Sequence, residues 1–171
     1  MNTVKADRIE GGHITARSLH VVDDQDRPRV VIGMDEKARP CVDVLDDQGR
    51  VRAELMVNAE GVPLFVLYNA RGQLGVVLHV DEERSVLQMY NAQRQPGICL
   101  WINTTTSETN LALRDAKDAI RASLTVSENG HPGLILANEN QVPVFSVGQD
   151  DAGIQSLRLY DDTGQVRAAL M

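Results

Sequence analysis

A single turn signature returns along the whole chain, and this internal period restricts the possible folds more than any other feature. Its anchors are Asp23, Asp46, Asn69, Asn91, Asp115, Asn138 and Asp161, at spacings of 23, 23, 22, 24, 23 and 23. Seven units in register follow from this spacing. The clearest copies run from Val42 to Val57 and from Leu157 to Met171, and weaker ones from Phe65 to Val80 and from Leu111 to Val126.

Four positions in every unit are apolar. Four residues before the anchor stand Leu19, Val42, Phe65, Leu87, Leu111, Leu134 and Leu157; two before it stand Val21, Val44, Leu67, Met89, Leu113, Leu136 and Leu159. Seven after it come Val30, Ala53, Val76, Ile98, Ala122, Phe145 and Ala168; nine after it come Ile32, Leu55, Leu78, Leu100, Leu124, Val147 and Leu170. With 43% of the chain apolar, chance agreement would be on the order of 10⁻¹⁰, so the alternation is a period-two strand pattern. Residues such as His20, Asp43, Gln88, Arg158, Arg29, Arg52, Glu54, Arg121, Ser123 and Arg167 fill the alternate positions. One face is therefore apolar and the other mixed or polar.

The first connection of each unit is an Asx followed three residues later by Gly49, Gly72 or Gly164. Asp or Asn accepts local backbone hydrogen bonds, and Gly tolerates the left-handed conformation that reverses the chain. Asp26, Arg94, Asp118 and Gln141 replace that Gly elsewhere, so those turns should differ or carry strain. The second connection, at residues 58–63, 103–109 and 127–132, is more variable. Both are too short for a helical crossover and join antiparallel neighbours.

The predicted fold is all-β: seven tandem two-stranded repeats of about 23 residues forming an elongated antiparallel meander. Residues 16–171 make the β domain, and residues 1–15 a cap or adaptor segment that Gly11 and Gly12 let bend away. Fourteen strands at about 4.8 Å make a sheet on the order of 65 Å long. Leaving 28 ladder side chains wet would forfeit roughly 50 kcal/mol, so that face must be covered. Three solutions compete: a trimeric triangular β-prism, a single-chain β-solenoid, and closure into a barrel. The first ranks highest, because Asx turns favour hairpins over solenoid corners.

The motif D-x-x-G-x-x-R-A-x-L, at Asp46 to Leu55 and Asp161 to Leu170 and preceded by Ile14 to Asp23, resembles that of uncharacterised bacterial proteins built from this short repeat. More loosely it is similar to shaft repeats of phage tail fibres and injection-machine fibres, which implies trimeric β-prisms. The likeness covers about residues 14 to 171. Several units lack the Gly, as at Asp118, or the Arg, as at Gly75, Gly97 and Val144.

Net charge is -7 and the pI about 5.0, with no basic stripe, which argues against nucleic acid as partner. No signal-like or membrane-spanning apolar run occurs, so the expectation is synthesis in the cytoplasm, no membrane partner, and an open final location. Cys41 and Cys99 have no metal-like spacing and read as packing residues. The pairs Asp23-Asp24, Asp46-Asp47 and Asp161-Asp162 supply too few ligands for a calcium loop. His13, His20, His79 and His131 show no metal signature, and no nucleophile elbow or phosphate loop appears. No catalytic residue, metal ligand or cofactor is nominated.

The expected partner is the chain itself, as a homo-oligomer and most simply a trimer, with another protein docking at the terminal strands. Its core would be the anchor-side ladder residues Leu19, Val21, Val42, Val44, Phe65, Leu67, Leu87, Met89, Leu111, Leu113, Leu134, Leu136, Leu157 and Leu159. Tyr68, Tyr90 and Tyr160 precede anchors on the mixed face, and Trp101 shares that face. Tyr68, Tyr90 and Trp101 are a candidate partner surface. The lead expectation is a non-enzymatic fibre or scaffold module; the rivals are an end-on-stacking cytoplasmic filament and a protein- or glycan-binding module.

Overall fold

In a computed structural model, residues 12–149 and 152–171 are described. Among them are fourteen strands and no helix. In chain order these are β1 (Leu19–Val22), β2 (Pro28–Met34), β3 (Pro40–Leu45), β4 (Val51–Val57), β5 (Pro63–Tyr68), β6 (Leu74–Val80) and β7 (Arg84–Tyr90). They continue with β8 (Pro96–Asn103), β9 (Thr109–Arg114), β10 (Ile120–Val126), β11 (Pro132–Ala137), β12 (Pro143–Gln149), β13 (Gln155–Tyr160) and β14 (Val166–Leu170). Each strand pairs antiparallel with its sequence neighbours in one sheet. The sheet is open, because β1 and β14 do not pair with each other. The barrel alternative is therefore wrong: the meander runs straight on instead of returning to its first strand. Of the expected cap, residues 1–11 lie outside the described residues, and residues 12–15 form no strand.

Proline placement marks the strand starts. Pro28, Pro40, Pro63, Pro96, Pro132 and Pro143 each occupy the first position of a strand, where a missing N–H costs the ladder least.

At one long edge, here the anchor edge, the seven Asx residues close identical turns. Asp46 is representative: its N–H donates to the Arg50 carbonyl at 2.9 Å, and its carbonyl accepts from Gly49 N–H at 3.1 Å. Its Oδ1 accepts from the N–H groups of Gln48 and Arg50, both at 3.0 Å. The third residue after the anchor takes positive φ, 73° at Gly49 and 85° at Gly164. The four turns without glycine keep this geometry, with φ of 58° at Asp26, 63° at Arg94, 64° at Asp118 and 62° at Gln141. The expected difference is thus absent and the expected strain present, since a side chain in the left-handed region crowds its own carbonyl.

The far edge uses the same turn, which the variable sequences of the second connections concealed. Asp35 Oδ1 accepts from Lys37 and Arg39 N–H at 2.8 and 2.9 Å, and Ala38 has φ of 59°. Asn58 binds Glu60 and Val62 N–H in the same way. Asp81 closes a shorter version onto Glu83 and Arg84, and Asn103 a longer one onto Thr105 and Thr106.

The edges differ in one respect. Every hairpin on the anchor edge carries a register shift, as between Val44 and Leu45, and none of the far-edge hairpins does among the described residues. The extra residue is the sixth after the anchor: Arg29, Arg52, Gly75, Gly97, Arg121, Val144 or Arg167. Where the anchor is Asp this residue is Arg, and the two form an ion pair, at 3.7 Å for Arg29 with Asp23 and 2.8 Å for Arg167 with Asp161. Arg52 with Asp46 and Arg121 with Asp115 repeat it. Where the anchor is Asn, at Asn69, Asn91 and Asn138, no Arg follows. The Arg of the motif is therefore a bulge residue that neutralises its own turn.

Candidate functional site

The 28 apolar positions read from the sequence fall into two unbroken cross-strand ladders. In one, Leu19 faces Ile32, then Val42, Leu55, Phe65, Leu78 and Leu87, and so on through Leu100, Leu111, Leu124, Leu134, Val147 and Leu157 to Leu170. The second runs from Val21 through Val30, Val44, Ala53, Leu67, Val76 and Met89, and ends at Leu159 and Ala168. Of the anchor-side residues, Leu111 and Leu134 lie in the first row and Leu113 and Leu136 in the second. A third, partial row lies toward the far edge, where Met34 faces Pro40, Val57 faces Pro63 and Val126 faces Pro132. Sequence reasoning missed this row, although the recurrent Pro and Val signalled it.

Among the described residues no layer covers this face. Strands pack only against their immediate neighbours among the described residues, and Leu55, Leu124 and Leu170 are 51%, 52% and 71% exposed. The single chain exposes 12256 Å², whereas a compact monomer of its 18.8 kDa would expose about 8,300 Å².

The opposite face is better buried, in its central strands β3 to β9. Cys41, Met56, Val66, Val77, Val86, Cys99 and Ala112 are the buried strand residues, and all belong to it; Ala112 is 3% and Met56 7% exposed. The sequence reading described this face as mixed or polar, which holds for its outer layer but not for its floor. Long side chains form the cover: Arg84 lies over the Trp101 ring at 5.6 Å, and Trp101 packs against the Val86, Cys99 and Ala112 cluster. Tyr68 donates its hydroxyl to Glu54 at 3.1 Å and Tyr90 to Gln88 at 2.7 Å. Burial, then the Glu54 charge, pushes the Tyr68 phenol up to about 12.

Tyr68 and Tyr90 occupy one row by the anchor edge, two strands apart. Trp101 lies in the row near the far edge, about 13 Å along the strand direction from the Tyr row. The structure thus brings the two tyrosines near each other and holds Trp101 apart, with all three half-buried. Tyr160 hydrogen-bonds Ser146 at 2.8 Å.

Charge on the outer face is mostly paired. Hydrogen bonds from Arg27 and Arg50 hold the Asp23 and Asp46 carboxyls down at about 2. Asp43 has no cationic partner among the described residues. It faces Glu54 directly across the ladder, its Oδ1 is buried without a partner, and burial raises its pKa. Both cysteines are free, and burial raises the Cys41 thiol. Compared with known families and with curated proteins, the chain matches none.

Proposed function

We propose that this protein is a non-enzymatic structural module that associates through its apolar face into an elongated, rigid homotrimer serving as a fibre or scaffold element. One observation carries the proposal: strands β3 to β9 each bury an outer-face residue, while ladder residues of the same strands such as Leu55, Leu78 and Leu100 stay 51%, 46% and 40% exposed.

The geometry favours three copies. Seven-residue strands span about 23 Å, and an equilateral prism of that side has walls about 7 Å from its axis. Packed sheets lie about 10 Å apart, so each contributes about 5 Å of side chain. Val, Leu and Phe on two central rows fill the remaining distance. Pairing of consecutive strands in antiparallel register suits strands set across a fibre axis, whereas solenoid rungs would stack on their successors. The seven sequence units then supply length, one hairpin at a time.

The test is the mass of the purified protein by light scattering, for the native sequence and for Leu100→Asp with Leu111→Asp. The native chain is expected at three times its monomer mass, with a melting temperature that rises with concentration. The doubly charged variant is expected to lose both. A monodisperse, folded native monomer at micromolar concentration would refute the proposal.

A further inference from the structure

The two long edges of the sheet carry complementary charge at the centre of the molecule. Arg71 on the β5–β6 turn and Arg94 on the β7–β8 turn project from the anchor edge. Both are exposed, and their turns have Asn anchors that leave no carboxylate for them. On the far edge, Glu60 follows β4, Glu82 and Glu83 follow β6, and Glu108 precedes β9. None of these six side chains makes an ion pair among the described residues, in contrast to the internally paired Asp and Arg of the other anchor-edge turns.

Turns on opposite edges are offset by one strand, about 4.8 Å along the sheet. Arg71 is therefore level with a point between Glu60 and the Glu82-Glu83 pair, and Arg94 with a point between that pair and Glu108. Rotation about an axis along the sheet brings the anchor edge of one copy against the far edge of the next at the same height. An antiparallel two-fold arrangement instead sets each edge against itself, Arg against Arg and Glu against Glu.

We infer that a second copy of this chain docks with its far edge on the anchor edge, all copies parallel, and that Arg71 and Arg94 pair with Glu60, Glu82, Glu83 and Glu108 of the neighbour across each corner. This rests on the self-association proposed above and adds its direction and polarity. Such pairs are partly exposed, so they select register and orientation more than they supply affinity.

The experiment is sedimentation velocity of the full chain at about 50 mM and 500 mM salt, where the screening length drops from above 10 Å to a few ångströms. Arg71→Glu with Arg94→Glu is expected to weaken association at least tenfold at low salt, with a smaller effect at high salt. Adding Glu82→Arg and Glu83→Arg in the same chain should recover most of it, while circular dichroism stays that of the native sheet. Native-like association of the first variant, or its failure to be rescued by the second, would overturn the corner pairing while leaving self-association intact. A native chain that is itself monomeric would overturn both.

Discussion

Leu55 allows the uncovered face to be tested quantitatively. It is 51% exposed in the single chain, so about half of the roughly 2 kcal/mol available from burying a leucine remains to be gained. Leu55→Ala should then cost about 1 kcal/mol per chain on association, or about 3 kcal/mol for a trimer. That corresponds to a weakening on the order of 100-fold in the trimer association constant. Sedimentation equilibrium over a concentration series reads this directly. Its neighbour Met56 is the internal control, because it is 7% exposed on the other face and its contacts already exist within one chain. Met56→Ala should lower the melting temperature through a cavity worth about 2–5 kcal/mol, with little change in the association constant measured where the sheet is still folded. Equal effects of both substitutions on association, or none from Leu55→Ala, would refute the reasoning.

Three further outcomes follow from local features. Gln141 holds positive φ without being glycine, so Gln141→Gly should stabilise the fold by about 1 kcal/mol in thermal or denaturant unfolding. Asp46 has its folded pKa depressed to about 2; its contribution is present above the unfolded value near 4 and is lost as pH falls toward 2, and Asp46→Asn should flatten stability against pH in that window. Asp43 has a raised pKa from burial beside Glu54, so its contribution falls as pH rises through the folded pKa. Asp43→Asn should raise the melting temperature at pH 7 and leave it little changed below the unfolded pKa.

Several sequence signals were legible because they depend on local chemistry. The period-two pattern identified every ladder residue from Leu19 to Leu170, since alternation alone decides which side chains share a face. The Asx-x-x-Gly anchors located the hairpins for the same reason. The far-edge turns at Asp35, Asn58 and Asp81 were harder to see, because residues around them vary while the backbone pattern does not. The buried floor of the outer face escaped notice as well: Met56, Val66 and Ala112 stand among Arg, Glu and Tyr, and the sequence does not say which way those long side chains lie. Tyr68 and Trp101 looked like neighbours on one surface, yet strand direction separates their rows.

The sequence by itself determined the all-β character, the face of each ladder residue and the sites of chain reversal, because each follows from propensity and spacing within a dozen residues. Only the tertiary arrangement decided that the sheet stays open, that the central strands bury residues on one face and not on the other, and that unpaired Arg and Glu side chains sit at the middle of its opposite edges. Those features depend on how distant strands align across the sheet, and register between strands is a property of the assembled ladder, not of any one segment.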